Sequence, residues 1–191
     1  MSDRSTIGGA RIVLLNGTGS SGKSSIARAL QEVASVPFLH VEMDAFLEML
    51  PETLLDHPDG FSFETERLED GKPQVVIRPG AVGARTMRGM RHAIAAMAGQ
   101  RCDLIVDDVL CNGGMPEYEA LLAPFAFHRV GVLAPLDLLE ARERERGDRM
   151  IGLARWQFDR VHSGVDYDFT VDTSVSTPAE CAALIKERFG L

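Results

Sequence analysis

The sequence predicts a three-layer α/β domain with a parallel sheet. Two observations carry that reading: short apolar runs alternate with longer helical patterns, and a glycine-rich stretch joins the first apolar run to the first helix. The run at 12–15 (Ile12, Val13, Leu14, Leu15) reads as a buried strand. Residues 22–34 read as a helix, with Ile26, Ala29, Leu30 and Val33 on one stripe. A second strand is expected at 38–43 and a short helix at 44–50, stopped by Pro51. Residues 51–79 break the rhythm. Phe61 to Thr65 alternates apolar and polar, Gln74 to Ile77 is rich in β-formers, and Asp70-Gly71 between them is a turn signal, so a hairpin excursion is expected here. A helix at 81–98 and a strand at 104–106 ending in Asp107 and Asp108 come next. They are followed by a strand at 129–133, helices at 135–146 and 151–162, and a short strand at 169–171. Thr177 as N-cap and Pro178 at the first helical position open a last helix to Phe189.

Length and composition limit the function. The 191 residues suit one domain, 1–191, and 45% hydrophobic with 25% charged residues is a globular mix. A net charge of −8 argues against a nucleic-acid coat or a basic membrane-surface protein. No apolar run is long enough for a spanning helix or a signal peptide, so a cytoplasmic protein is expected, without nucleic-acid or membrane partners. Cys102, Cys111 and Cys181 offer no C-x-x-C pair, and His40, His57, His92, His128 and His162 show no ligand spacing, so all eight read as ordinary side chains. The sequence gives no indication of the oligomeric state.

The motif that carries chemistry is Gly17, Thr18, Gly19, Ser20, Ser21, Gly22, Lys23 and Ser24, which fits G-x-x-x-x-G-K-[ST] between a strand and a helix. Bare amides and a helix start can converge on phosphate oxygens there. Lys23 would neutralise the β- and γ-phosphates, Ser24 would offer a hydroxyl to Mg2+, and Ser25 adjoins them as a further binding candidate. The pattern signals ATP or GTP and does not separate the two. Asp44, just beyond the second strand, would face the same crevice, either as a base toward an attacking hydroxyl or as a helix N-cap. Asp107 is the candidate for an indirect magnesium contact, and Asp108 could point toward the acceptor, though the two roles could be exchanged. Arg142, Arg146 and Arg149 share a helical face, and Gly147 and Gly152 loosen the segment as a lid would require, but on spacing alone the interleaved Glu140, Glu143, Glu145 and Asp148 read as a solvated face. Met87, Met90, Ile94 and Met97 read as core or as an adaptable apolar wall, and Arg85, Arg88 and Arg91 as solvated.

Taken together, these residues resemble the chloramphenicol phosphotransferase family over nearly the whole chain. The resemblance is carried by Leu15 to Ser24, by Asp44, by Ile105 to Val109 with Gly113 and Gly114, and most specifically by Arg146 to Arg149 followed by His162 to Asp168 and Val171 to Thr173. It implies a P-loop fold like that of shikimate and adenylate kinases, with a five-stranded parallel sheet of order 2-3-1-4-5 and a lid over 142–155. It also implies Asp44 as the base, ATP on the glycine loop, and Arg146 and Arg149 beside the moving phosphate. The expected activity is ATP- and Mg2+-dependent phosphorylation of an alcohol on a small molecule, with chloramphenicol one candidate acceptor and a role in antibiotic resistance. The excursion at 51–79 departs from the family pattern and is expected to shape the acceptor pocket. A kinase of a sugar, nucleoside or shikimate-like alcohol, and a nucleotide-binding regulatory module without an acceptor, stay open beside it.

Overall fold

Ile12, Val13, Leu14 and Leu15 are all fully buried, although side chains on a strand alternate between two faces. That is possible only where both faces of a sheet are covered, which is the parallel arrangement. Strand β1 (Arg11–Asn16) sends Val13 and Leu15 into one core and Ile12 and Leu14 into the other. Burying each such side chain is worth about 1.5–3 kcal/mol, so β1 anchors both halves of the domain. The computed structural model describes residues 9–111, 113–147 and 150–191.

Around β1 the sheet contains β2 (Leu39–Glu42), β5 (Leu104–Asp108), β6 (Ala126–Leu133) and β7 (Phe169–Asp172), all parallel, in the order β2-β5-β1-β6-β7. Counting main-sheet strands alone, this is 2-3-1-4-5. Helices α1 (Lys23–Val33) and α7 (Pro178–Phe189) cover the face that holds Val13, Ile26, Ile105 and Ile185. Helices α3 (Ala81–Gly99) and α4 (Met115–Leu122) cover the face that holds Ile12, Met90, Ile94 and Leu122. The expected cap of α7 is present as a capping box. The Glu180 amide donates to Thr177 Oγ1, and Thr177 N–H donates to Glu180 Oε2 at 2.7 Å.

The excursion folds as the hairpin of β3 (Phe61–Arg67) and β4 (Pro73–Pro79), a separate two-stranded antiparallel sheet. Its turn uses Gly71 at φ 77°, and Lys72 N–H donates to Asp70 Oδ1 at 3.0 Å. The hairpin is fastened at its base by Gly80 N–H to the Gly60 carbonyl (2.7 Å) and at its side by Val75 N–H to the Gly152 carbonyl (3.0 Å).

Three expectations need correction. Helix α4 replaces the turn expected after Asp108: Pro116 sits in its first turn, where a missing N–H costs nothing, and Tyr118 and Leu122 are fully buried beneath it. The short helix α2 (Met43–Leu47) ends before Pro51, because residues 48–50 close a turn through Leu50 N–H to the Leu47 carbonyl. The N-cap of α2 is Glu42, so Asp44 stands in the first turn and does not cap it.

Candidate active site

Strand β1 runs into the glycine loop, and the loop runs into α1. A Cβ on Gly17 would lie 2.5 Å from the Val132 carbonyl oxygen, so only glycine lets the loop lie against β6. Gly22 has φ 92° and precedes α1, whose first amides receive no side-chain cap and meet no acidic residue in the first turn. Orphan amides with the positive end of the helix dipole form an anion site. Lys23 is buried here. Its Nζ donates to the Gly17 carbonyl at 2.9 Å and the Thr18 carbonyl at 3.0 Å, and lies 3.6 Å from Asp107 Oδ1.

The paired aspartates at the end of β5 part company because successive side chains on a strand face opposite ways. Asp107 faces α1 and accepts a hydrogen bond from Ser24 Oγ at 2.5 Å. A hydroxyl backed by a carboxylate, beside a phosphate loop, is an oxygen donor set that suits Mg2+. Asp108 faces α4. Its oxygens accept from Tyr118 Oη at 2.8 Å and from Val109 N–H at 2.7 Å. Burial pushes the Asp108 carboxyl above its ordinary range, against the pull of these hydrogen bonds.

One cavity opens at the loop, and a second lies beyond the carboxyl ends of β2 and β5. The first, of about 750 Å3, is lined by Ser20, Gly22, Ser25, Arg142, Arg146 and Thr177. The other, of about 460 Å3, is mostly apolar, with Phe61, Phe63, Met87 and Trp156 on its wall and Asp44 and Asp108 in the lining. The hairpin therefore supplies a wall of the cavity that holds Asp44. Cys111 also lines it, but burial pushes its thiol up to about 12, so it stays protonated and is no nucleophile.

Helix α6 (Leu153–Val161) joins the two regions, which the sequence reading missed. Gln157 lines the apolar cavity, and its Oε1 accepts from Gly19 N–H of the loop at 2.6 Å. A polar residue within the otherwise apolar stripe of Leu153, Ala154, Trp156 and Val161 was the available signal. The solvated-face reading of α5 (Leu136–Arg146) also fails at two positions. Glu143 is 2% exposed and accepts from Gly152 N–H and Ala154 N–H, both at 2.8 Å, while Glu140 is buried against Arg155 and Lys72. Arg142 donates to Thr173 Oγ1 at 2.9 Å and to the Thr173 carbonyl at 2.8 Å. Arg146 lines the cavity at the loop, and Arg149 lies outside the described residues.

Two more groupings divide. Met90 and Ile94 are core, Met97 packs on the core, and Met87 lines the apolar cavity. Arg91 is not a solvated residue: its Nε donates to Glu117, its guanidinium lies 5.9 Å from the Tyr118 ring centroid, and it lines the apolar cavity, as does Arg88. No helix among the described residues is long and apolar enough to cross a membrane.

Comparison with known proteins identifies the family and the fold. A proposed O-phosphotransferase of Mycobacterium tuberculosis, present in two strains, is 29% identical over 184 residues, spanning 94% of this chain and 82% of its own. Among solved structures, the Mycobacterium tuberculosis APS kinase superposes with a TM-score of 0.66 at 14% identity, covering 96% of this chain and 99% of its own. The tunicamycin resistance protein of Deinococcus radiodurans gives 0.65 at 18%, covering 95% and 96%. The gluconokinase of Sinorhizobium meliloti gives 0.60 at 18%, covering 95% and 90%. At such identities these structures share the fold. The model of the chloramphenicol phosphotransferase-like proteins matches residues 10–190, and the chain therefore belongs to that family, as a phosphotransferase of the P-loop kinase type.

Proposed function

We propose that the chain is an ATP- and Mg2+-dependent O-phosphotransferase whose acceptor is a small alcohol with an apolar or aromatic body. The observation that carries this reading is an apolar cavity of about 460 Å3 that contains Asp44 and is joined by Gln157 to the phosphate loop. The loop amides and Lys23 hold the triphosphate in place, and Arg146 and Arg149 of a lid at 142–155 offset charge on the moving group. Magnesium, held by Ser24 with Asp107 behind it, neutralises phosphate charge when bound. Asp44 accepts the proton of the acceptor hydroxyl as its oxygen bonds to the γ-phosphorus, and the bond to the bridging oxygen breaks to release ADP. In this reading the excursion at 51–79 is the acceptor-side element, because Phe61 and Phe63 of its hairpin line the cavity, and their rings favour an aryl-bearing alcohol such as chloramphenicol over a bare sugar.

The test is mass spectrometry of reactions with ATP, Mg2+ and a panel of chloramphenicol, a nucleoside and gluconate. A phosphate adduct on chloramphenicol is expected. An adduct on a polar alcohol alone refutes the aromatic preference, and ATP binding without transfer to any acceptor favours a regulatory module. Asp44→Asn should lose transfer by about 10²–10⁴-fold with nucleotide affinity retained, whereas Lys23→Ala should weaken nucleotide use itself. Near-normal transfer by Asp44→Asn overturns the base assignment.

A further inference from the structure

The sequence offers no histidine pair at ligand spacing, but strand pairing places one histidine between two carboxylates. In the parallel register of β2 and β5, Glu42 lies opposite Asp107 and His40 opposite Ile105. Residues two apart on a strand share a face, and register partners in a parallel pair point the same way. His40, Glu42 and Asp107 therefore project to one face of the sheet, the face covered by α1. His40 Nδ1 lies 3.6 Å from Glu42 Oε1, and His40 Nε2 lies 3.9 Å from Asp107 Oδ2. One donor atom from each of the three falls within 4.8 Å of the others. His40 Nε2 is buried and has no hydrogen-bond partner. A buried imidazole nitrogen facing a carboxylate oxygen without a hydrogen bond is uncommon, because such groups are nearly always satisfied.

We propose that His40, Glu42 and Asp107 form a binding site for a divalent transition-metal ion of the zinc, cobalt or manganese type, which adjoins the proposed magnesium site at Ser24 and shares Asp107 with it. Bound ions of this kind sit about 2.0–2.2 Å from nitrogen and oxygen ligands and take one imidazole nitrogen, so the unpartnered Nε2 is the donor from His40, and the three side chains, whose donor atoms lie within 4.8 Å of one another, rotate inward to close on the ion. The donor set decides the class. An imidazole with carboxylates suits zinc, cobalt or manganese, whereas magnesium keeps to oxygen ligands and water. Nearby cations do not block the site. Arg28, whose side chain is 73% exposed and 3.9 Å from Glu42 Oε1, is free to swing into solvent, and Lys23 lies on the other oxygen of Asp107. The same Asp107 oxygen that faces His40 accepts the hydrogen bond from Ser24. An ion at His40 thus competes with Ser24 for one carboxylate, which ties transition-metal occupancy to the phosphate loop.

The test uses the full chain without nucleotide or acceptor, so its outcome is independent of the phosphotransferase reading. Cobalt(II) is titrated by visible absorption and zinc by calorimetry, against wild type, His40→Asn and Glu42→Gln. Wild type should bind roughly one ion per chain at micromolar concentration, with a melting temperature raised by zinc. Each variant should bind at least about tenfold more weakly and lose that thermal shift. Matching melting temperatures in chelator show that the variants are folded; if one is not, the other decides. Binding no tighter than millimolar in wild type, or equal affinity in wild type and a folded variant, overturns the proposal.

Discussion

Replacing Glu143 with alanine should destabilise the protein far more than its place in a run of charged residues suggests. Helix α6 starts at Gly152, a residue with no side chain to cap it and no room for one, since a Cβ there would lie 2.6 Å from the Pro73 carbonyl oxygen. The cap comes instead from the preceding helix, where the Glu143 carboxylate takes both the Gly152 and the Ala154 amides at 2.8 Å. Hydrogen bonds to a charged group are worth about 1.5–3 kcal/mol each, so losing both costs about 3–6 kcal/mol, a large share of the roughly 5–15 kcal/mol that holds a domain together. At about 2–4 °C per kcal/mol for a domain of this size, the melting temperature should fall by about 6–24 °C. Glu143→Gln keeps one acceptor oxygen but turns an NH2 toward the second amide, and should fall between the two. Thermal unfolding followed by circular dichroism measures this directly. A Glu143→Ala protein melting within about 2 °C of wild type would refute the capping argument.

Removing the Phe63 ring takes one aromatic surface from the proposed acceptor cavity. Phe63→Ala should raise the acceptor KM by about 10–100-fold, equivalent to about 1.5–3 kcal/mol of lost apolar contact, and leave the KM for ATP unchanged; steady-state kinetics with each substrate varied in turn decides it. Asp168 accepts from the Arg129 backbone N–H at 2.8 Å and from its guanidinium, and this pairing holds its carboxyl below the usual carboxylate range. The folded-state value is depressed, so the pair's contribution is present above the unfolded value of about 3.9 and is lost as pH falls through the folded one. Urea midpoints of wild type and Asp168→Asn should accordingly differ near neutrality and converge below about pH 4; a gap that stays constant with pH contradicts this.

What was readable in the sequence was whatever is decided locally. A continuous apolar run means a strand buried on both faces, G-x-x-x-x-G-K-[ST] needs only its own backbone, and Asp70-Gly71 sets a turn whatever lies around it. What escaped is decided by partners far along the chain. Gln157 meets Gly19 across 138 residues, and His40 reaches Asp107 only because β2 pairs with β5 and not with β1. Glu143 reads as solvated because helical spacing identifies a face without saying what packs on it. Asp107 and Asp108 are a middle case. Alternation along a strand separates them, but which one faces the loop depends on the side of the sheet that α1 covers. Helix α4 was missed because Gly113, Gly114 and Pro116 are breakers by type, while in the fold they precede or begin a helix whose stability comes from burying Tyr118.

The hairpin of β3 and β4 shares no ladder with the main sheet. Its side chains can therefore be exchanged without altering the register of any strand that carries the loop, Asp107 or Asp108. Under the proposed function this makes acceptor choice an interchangeable part on a fixed motor. One attachment limits the exchange. The Val75 amide and the Gly152 carbonyl tie the hairpin to the start of α6, and α6 also carries Gln157 to the loop. A graft of a relative's hairpin that preserves this backbone contact should redirect the enzyme to a new alcohol at little cost in stability. A graft that breaks it would disturb the phosphate loop from the far side of the cavity.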